Sequence, residues 1–293
     1  MKILISSRSF EKTNKDARTL LSEAGYDVVS NPLGKKLNED EIIALLDEHT
    51  VGILAGTEKI TKRVMQAAPA LKVISRYGVG MDGVDLAAAK ELGIKIVNTP
   101  HAPTQAVAEL ALALILNSYR KISAADRGIR SETWSAQLGN LLYRKTIGVI
   151  GLGRIGKTVV RLLKPFNVNI LAYDPYADVR FAERHSVTLC PLNQLLEMSD
   201  VVTLHTPLLK ETHHLIGQNE LELMKSTATL INTARGPLVD EEALIDALEN
   251  NKIAGAALDV FESEPYSGEL KKFDNIILTP HIGSCAKETR EIM

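Results

Sequence analysis

Apolar residues recur along the chain in two alternating rhythms. Short consecutive runs, rich in Val, Ile and Leu, read as buried strands. Between them apolar positions return every three or four residues, the spacing of one helix face. The first series predicts a strand at Lys2–Ile5, a helix over Lys12–Ala24, a strand at Tyr26–Val29, a helix over Glu39–Glu48, and strands at Gly52–Leu54, Leu71–Ser75 and Ile94–Asn98. A second series predicts strands at Thr146–Ile150, Asn169–Tyr173, Val201–His205, Thr229–Asn232, Ala254–Leu258 and Ile276–Leu278. Wholly apolar strands alternating with helices imply parallel sheets covered on both faces. Two such series imply two α/β domains, each a doubly wound parallel sheet, with a long helix expected over Pro103–Ser118 at the join. The most apolar run, Ala106–Leu116, contains Glu109 and is too short to span a membrane. A helix apolar nearly all round is expected to be sandwiched between domains or subunits.

Composition narrows this picture. A length of 293 residues suits two domains rather than one. With 45% hydrophobic and 24% charged residues, the chain is neither disordered, collagen-like nor a coiled coil. Lys and Arg number 34 against 36 Asp and Glu, a net charge of −2, which argues against nucleic acid or an anionic membrane as a partner. A small basic pocket for an anionic metabolite remains compatible with it. The cysteines, Cys190 and Cys285, form no C-x-x-C, so neither a metal site nor a disulfide framework is expected. Their sparse use, and the lack of a signal-length apolar stretch in Met1–Phe10, predict a reducing, cytoplasmic setting.

One strand runs directly into Gly151-Leu152-Gly153-Arg154-Ile155-Gly156 and then an amphipathic helix through Leu163. This is G-x-G-x-x-G in the strand–turn–helix context of a dinucleotide site. The first glycine makes the tight turn, the second admits a pyrophosphate, and the third lets helix and strand pack closely. The helix N-terminus offers unpaired N–H groups to the phosphates. The same residues also match a triphosphatase phosphate loop, Gly151-x-x-x-x-Gly156-Lys157-Thr158, in which Lys157 would reach phosphate and Thr158 a magnesium ion. A glycine turn without any ligand is the plainest alternative. The dinucleotide reading requires an acidic residue closing the next strand, and Asp174 stands there. No cation follows Asp174, so NAD is expected rather than NADP.

In order along the chain stand Arg76-Tyr77-Gly78-Val79-Gly80-Met81-Asp82, Gly148 to Gly156, His205-Thr206-Pro207, Asn232-Thr233-Ala234-Arg235-Gly236, Ala257 to Pro265, and Thr279-Pro280-His281-Ile282-Gly283-Ser284. Carrying these motifs, the chain resembles the D-isomer-specific 2-hydroxyacid dehydrogenases over nearly its whole length, the phosphoglycerate dehydrogenase branch most. The resemblance implies a flavodoxin-like substrate domain, residues 1–98 and 282–293, and a Rossmann NAD-binding domain, residues 99–281. It also implies a homodimer, with the long helix at the subunit interface. Its catalytic residues would be Arg235, Glu264 and His281. NAD would meet Gly151, Gly153, Arg154, Ile155 and Gly156 at the pyrophosphate. Asp174 would meet the ribose, and Thr206 would lie near the adenine. Thr233 and Asp259 would lie near the nicotinamide, Asp259 holding its carboxamide, and Ala234, Arg235, His281 and Gly283 would also contact the cofactor. Arg76, Val79, Gly80 and Arg235 would bind substrate. Against the branch's pattern, Ala55 stands where an arginine for a substrate phosphate is frequent, and Gly83 stands in place of an asparagine. The chain also stops at Met293, about one helix early for the family.

The chemistry suits these residue types. Arg235, Glu264 and His281 each follow a predicted strand, and carboxyl ends of parallel strands are where open α/β sheets bind ligands. Reducing a 2-keto acid needs a hydride and a proton. Histidine donates protons near neutral pH, and a carboxylate partner orients the ring and stabilises the imidazolium. An arginine fork grips a carboxylate and polarises a carbonyl. Taken singly, each is an ordinary loop residue; the case rests on all three sharing one sheet edge with a nucleotide loop. His213 and His214, in a polar loop, are expected to be solvated, and His205 to be a packing residue. Arg120, Lys121, Arg127 and Arg130 read as a charged helix face. The expected function is hydride transfer between NAD(H) and a D-2-hydroxy or 2-keto acid, 3-phosphoglycerate/3-phosphohydroxypyruvate first. Hydroxypyruvate, glyoxylate or another 2-keto acid is the alternative substrate, and an NAD-sensing corepressor-like protein the alternative of another class.

Overall fold

The computed structural model describes residues 1–7, 10 and 15–293. The chain divides into two compact units, Met1–Pro103 with Ser284–Met293, and Thr104–Gly283.

The smaller unit holds strands β1 (Lys2–Ile5), β2 (Asp27–Ser30), β3 (Thr50–Ala55), β4 (Val73–Arg76) and β5 (Lys95–Asn98). They form one parallel sheet ordered β2-β1-β3-β4-β5. This is the flavodoxin-like winding, which reverses direction between β1 and β3. Its helices are α1 (Lys15–Glu23), α2 (Glu39–Ile43), α3 (Lys62–Gln66) and α4 (Leu86–Glu91). The helix expected over Lys12–Ala24 is seen as α1; positions 12–14 lie outside the described residues. Ile42, Ile53, Ile60, Val64, Met65 and Ile74 form the unit's main core. The helix expected over Glu39–Glu48 stops at Ile43. Leu45 N and Leu46 N turn back three residues, to the carbonyls of Ile42 and Ile43, and the Lys2 ammonium takes the Leu45 carbonyl at 2.7 Å.

The larger unit opens with α5 (Thr104–Arg120) and α6 (Ile122–Arg130). Its strands are β6 (Thr146–Ile150), β7 (Asn169–Tyr173), β8 (Val187–Leu189), β9 (Val201–Leu204), β10 (Thr229–Asn232), β11 (Gly255–Leu258) and β12 (Ile276–Leu278). All pair in parallel, in the order β12-β11-β10-β9-β6-β7-β8. That is a Rossmann sheet extended by one strand, winding outward both ways from β6. Between the strands lie α7 (Arg154–Leu163), α8 (Val179–His185), α9 (Leu192–Met198), α10 (Gln218–Leu223) and α11 (Glu241–Glu249). Alternate residues feed opposite faces. Val202, Leu204, Leu230 and Leu258 join one core, and Ile147, Val149, Ile231 and Ala257 the other. Burial on both faces is why these strands read as unbroken apolar runs. A last helix, α12 (Lys287–Ile292), belongs to the smaller unit, where the Tyr77 hydroxyl donates to the Arg290 carbonyl at 3.2 Å. No described helix is long and apolar enough to cross a membrane.

Candidate active site

The sheet order brings the expected residues to one edge. β10, β11 and β12 are consecutive neighbours, and Arg235, Glu264 and His281 lie in the segments leaving their carboxyl ends. The glycine loop leaves β6, Asp174 leaves β7, and His205 and Thr206 leave β9 at the same edge.

Glu264 and His281 are in direct contact. His281 Nδ1 lies 2.9 Å from Glu264 Oε2 and 3.1 Å from Oε1. A carboxylate only accepts, so Nδ1 carries a proton and Nε2 is the nitrogen left for other work. Both side chains are part-buried, His281 36% and Glu264 28% exposed, so the pair is screened yet reachable. His281 holds a positive φ of 54°, uncommon for a residue with a Cβ. The surroundings impose it. His281 N donates to the carbonyls of Asp259 and Thr279, while the Asp259 carboxylate accepts from Thr279 Oγ1 at 2.6 Å, Ile282 N at 2.8 Å and Gly283 N at 2.7 Å. Asp259 is 1% exposed. Burial pushes its carboxyl up, while these hydrogen bonds and the nearby His281 pull it down. Both of its oxygens are engaged within the chain, so its visible work is to fix the histidine loop.

Arg235 is set by a second local device. Asn232, 1% exposed, accepts from Ala234 N at 3.0 Å and donates through Nδ2 to the Arg235 carbonyl at 2.8 Å. Arg235 Nη1 donates to the Ala234 carbonyl at 2.6 Å. Gly236 then lets this loop lie against the Glu264 loop, because a Cβ there would stand 1.9 Å from the Phe261 carbonyl carbon. Sequence reasoning assigned no work to Asn232 or Thr279. An Asn closing a strand before a turn is an Asx-turn signal that could have found the first; nothing in the sequence marks the second.

The dinucleotide half of the site meets its own test. Gly151 has φ +93°, and a Cβ on Gly156 would sit 2.0 Å from the Gly151 carbonyl, so the first and third glycines are required by the chain itself. Gly153 is different. It has an ordinary φ of −74°, and a Cβ there would meet no atom within 4 Å. The fold leaves that space open, as a backbone approached by a ligand requires. Helix α7 starts beside it with no side-chain cap, leaving the amides of Arg154 and Ile155 to an anion. Asp174 closes the loop, accepting from Leu152 N at 2.7 Å and Tyr176 N at 2.8 Å. Thr233, 6% exposed, has a buried hydroxyl with no partner among the described residues. Thr206 is half-buried. These residues fit a dinucleotide. They do not fit a triphosphate: Lys157 pairs with Asp178 at 2.7 Å and Thr158 Oγ1 turns back to the Arg154 carbonyl.

His205 is buried as expected, with Nε2 2.9 Å from Thr203 Oγ1, and burial drives its imidazole down to about 3. His214 is not simply solvated; its Nε2 lies 2.7 Å from Glu262 Oε1.

In the smaller unit, Arg76 ends β4 and is 8% exposed, and its Nη1 lies 3.2 Å from the Ala55 carbonyl and 3.4 Å from that of Tyr77. The turn that follows has Gly78 at φ +145°, with Val79 O held by Asn98 Nδ2 at 2.8 Å. Among the described residues no acceptor takes the amides of Val79 or Gly80.

Comparison with known proteins agrees with this geometry. Residues 112–283 match the model described as D-isomer specific 2-hydroxyacid dehydrogenase, NAD binding domain. A D-3-phosphoglycerate dehydrogenase of Methanocaldococcus jannaschii is 41% identical over 99% of the chain, which spans 55% of that protein. The chain thus covers about half the length of such relatives. A glyoxylate reductase of Thermofilum pendens is 48% identical over 81% of the chain and 73% of its own length. Among solved structures, the apo-structure of D-lactate dehydrogenase from Escherichia coli superposes with a TM-score of 0.83 at 30% identity, covering 100% of this chain and 93% of that one. The chain belongs to the D-isomer specific 2-hydroxyacid dehydrogenase family.

Proposed function

We propose that the protein is an NAD-dependent dehydrogenase that interconverts a small 2-keto acid and its D-2-hydroxy acid. The observation that carries this reading is the His281–Glu264 pair standing at the edge where β6 delivers an open glycine loop. Bound NADH supplies a hydride. Glu264 holds Nδ1–H, and His281 donates the proton of its other nitrogen, Nε2, to the oxygen that becomes the hydroxyl. Arg235 binds the carboxylate and polarises the carbonyl. The larger unit serves as the cofactor domain and the smaller as the substrate domain, whose amides at Val79 and Gly80 are main-chain donors suited to a carboxylate. Asp174 favours NAD, since a 2′-phosphate would meet its charge.

For the substrate, an unphosphorylated keto acid such as glyoxylate or hydroxypyruvate is favoured. Ala55 is fully buried and supplies no cation, and the Arg76 guanidinium lies against backbone carbonyls of its own unit. The phosphorylated reading, 3-phosphohydroxypyruvate, is supported by the name of a relative matched over 99% of the chain. A homodimer is supported by the exposed apolar residues Ile122 (56%), Ile129 (56%), Trp134 (93%) and Leu138 (93%). The sparse cysteines, both free, suit a reducing, cytoplasmic compartment.

The test is to mix purified protein with NADH or NADPH and glyoxylate, hydroxypyruvate, pyruvate or 3-phosphohydroxypyruvate. Oxidation of NADH in preference to NADPH, fastest with an unphosphorylated acid, is expected. No oxidation with any of them would sink the reading.

A further inference from the structure

Behind the catalytic loops lies a cluster of titratable groups that the proposed reaction does not use. His214 sits in the loop between β9 and α10 with φ +51°. Its backbone N donates to the Pro237 carbonyl at 2.8 Å, and Ile216 and Val239 pair as a short parallel bridge. The ring faces two carboxylates, Glu262 Oε1 2.7 Å from Nε2 and Asp240 Oδ2 3.5 Å from Nδ1. A third carboxylate joins them: Glu241 Oε1 accepts from Glu262 N at 2.7 Å. Burial and the Glu262 charge push the Glu241 carboxyl up, against that hydrogen bond. His213 stacks on His214 at 4.0 Å between centroids.

The cluster touches both loops that carry the chemistry. Glu262 stands two positions before Glu264, and Phe261 N donates to Glu264 Oε1 at 3.3 Å. The Phe261–Glu262 backbone lies against Gly236, next to Arg235. Glu262 is held from two sides, its side chain by His214 and its amide by Glu241. Asp240 meanwhile caps α11 through Ala243 N.

Resting on the dehydrogenase reading, we propose that His214 is a positioning residue: through Glu262 it holds the loop that aims Glu264 at His281. The physical device is charge-dependent. A protonated ring donates to Glu262 from Nε2 and sets its positive charge 3.5 Å from Asp240, so it holds both carboxylates together. A neutral ring has one N–H and satisfies one carboxylate. Without the ring, Asp240 and Glu262 lose their shared partner, the Glu241 carboxylate stays beside Glu262, and the repulsion loosens the segment ending at Glu264. Besides these, the packed segments carry Lys210, Glu211 and His213 on the His214 loop, Arg235 after β10, Glu242 on α11, and Asp259 and Glu264 after β11.

The experiment compares wild type with His214→Asn, Glu262→Gln and the double variant. Asn tolerates the left-handed backbone at 214 and is too short to reach Glu262. Three quantities are read: kcat and KM for reduction, the pH titration of the His281 imidazole followed by NMR, and the melting temperature. The proposal expects kcat to fall about three- to fivefold in His214→Asn, the scale of one part-exposed charge pair. Both KM values should stay within about twofold, and the His281 titration should move, since kcat loss without KM loss marks the chemical step. The double variant should lose no more than the worse single one, because the two residues act as a pair. Should His214→Asn not fold, Glu262→Gln carries the same readouts with its shape kept. A lowered melting temperature with wild-type kcat and an unmoved His281 titration overturns the proposal, leaving His214 as a brace only. If the wild type oxidises no NADH with any keto acid, the dehydrogenase reading fails on its own. The NMR titration then still decides the positioning claim, a moved His281 signal supporting it and an unmoved one overturning it.

Discussion

Two parallel sheets, wound alike, carry different things at their carboxyl edges. The seven-stranded edge keeps groups uncommitted: the open space at Gly153, the unpartnered Thr233 hydroxyl and the second nitrogen of His281. The five-stranded edge turns its ionisable groups onto its own unit. Arg76 lies on backbone carbonyls, and Glu58, 2% exposed, accepts from Gly56 N and the Ser6 hydroxyl. What that edge leaves over is backbone, the amides of Val79 and Gly80. On the proposed reading, one edge serves proton transfer and cofactor binding, and the other recognition by main-chain donors. The contrast teaches that the same winding can present side-chain chemistry at one edge and main-chain donors at the other.

The largest effect that would break the contrast is at His281. His281→Ala should lower kcat by about 10²–10⁴-fold, the usual worth of a general acid, with NADH affinity little changed. Stopped-flow NADH binding together with steady-state rates checks both halves. Near wild-type turnover would move the chemistry elsewhere.

Gly153→Ala sharpens the same side. Its φ of −74° suits alanine and its Cβ meets no described atom within 4 Å, so the backbone-entropy gain of about 0.4–1 kcal/mol offsets alanine's poorer N-cap fit and stability should change little. NADH affinity should fall about tenfold or more, as the methyl enters space a ligand needs. Wild-type NADH affinity in this variant would show that the space serves no cofactor.

Arg76→Ala tests the other edge. Removing a buried donor from two carbonyls should cost about 1–3 kcal/mol in chemical denaturation. The ranking of phosphorylated against unphosphorylated keto acids should not change. A changed ranking would restore Arg76 to the substrate, as the sequence alone suggests.

The smallest effect on activity belongs to His205. Its imidazole is lowered from 6.5 to about 3 by burial, so the folded protein keeps it neutral while the unfolded chain protonates it. The unfolded state therefore binds more protons below about pH 6.5, and stability must fall as pH drops from there toward 3. His205→Gln should flatten that fall in urea titrations, and leave kcat unchanged between neutral and alkaline pH.

Much of this was legible in the sequence. Thr146–Ile150, Asn169–Tyr173, Thr229–Asn232 and Ile276–Leu278 are seen with the predicted limits, because a strand buried on both faces writes an unbroken apolar run. The glycine loop and the Glu264–His281 contact were also readable, from motif and order. Three things were not. Val187–Leu189 is too short, and too exposed at Thr188 and Leu189, to show a period. The early end of α2 depends on Lys2, more than forty positions away, taking the Leu45 carbonyl. His214 looks like a loop residue until Glu262 and Asp240 fold against it. Strand patterns are local; satisfied polar atoms depend on distant partners.

The central claim is that His281 moves the proton and Glu264 holds the ring in place for it. The direct measurement is kcat against pH, in both directions, for wild type and Glu264→Gln. Reduction needs the protonated ring and should fall as pH rises; oxidation needs the neutral ring and should rise over the same interval. Glu264→Gln keeps the shape but replaces the carboxylate that holds Nδ1–H, so kcat should fall in both directions with KM little changed. Wild-type kcat in both directions in Glu264→Gln would contradict the assignment of this pair.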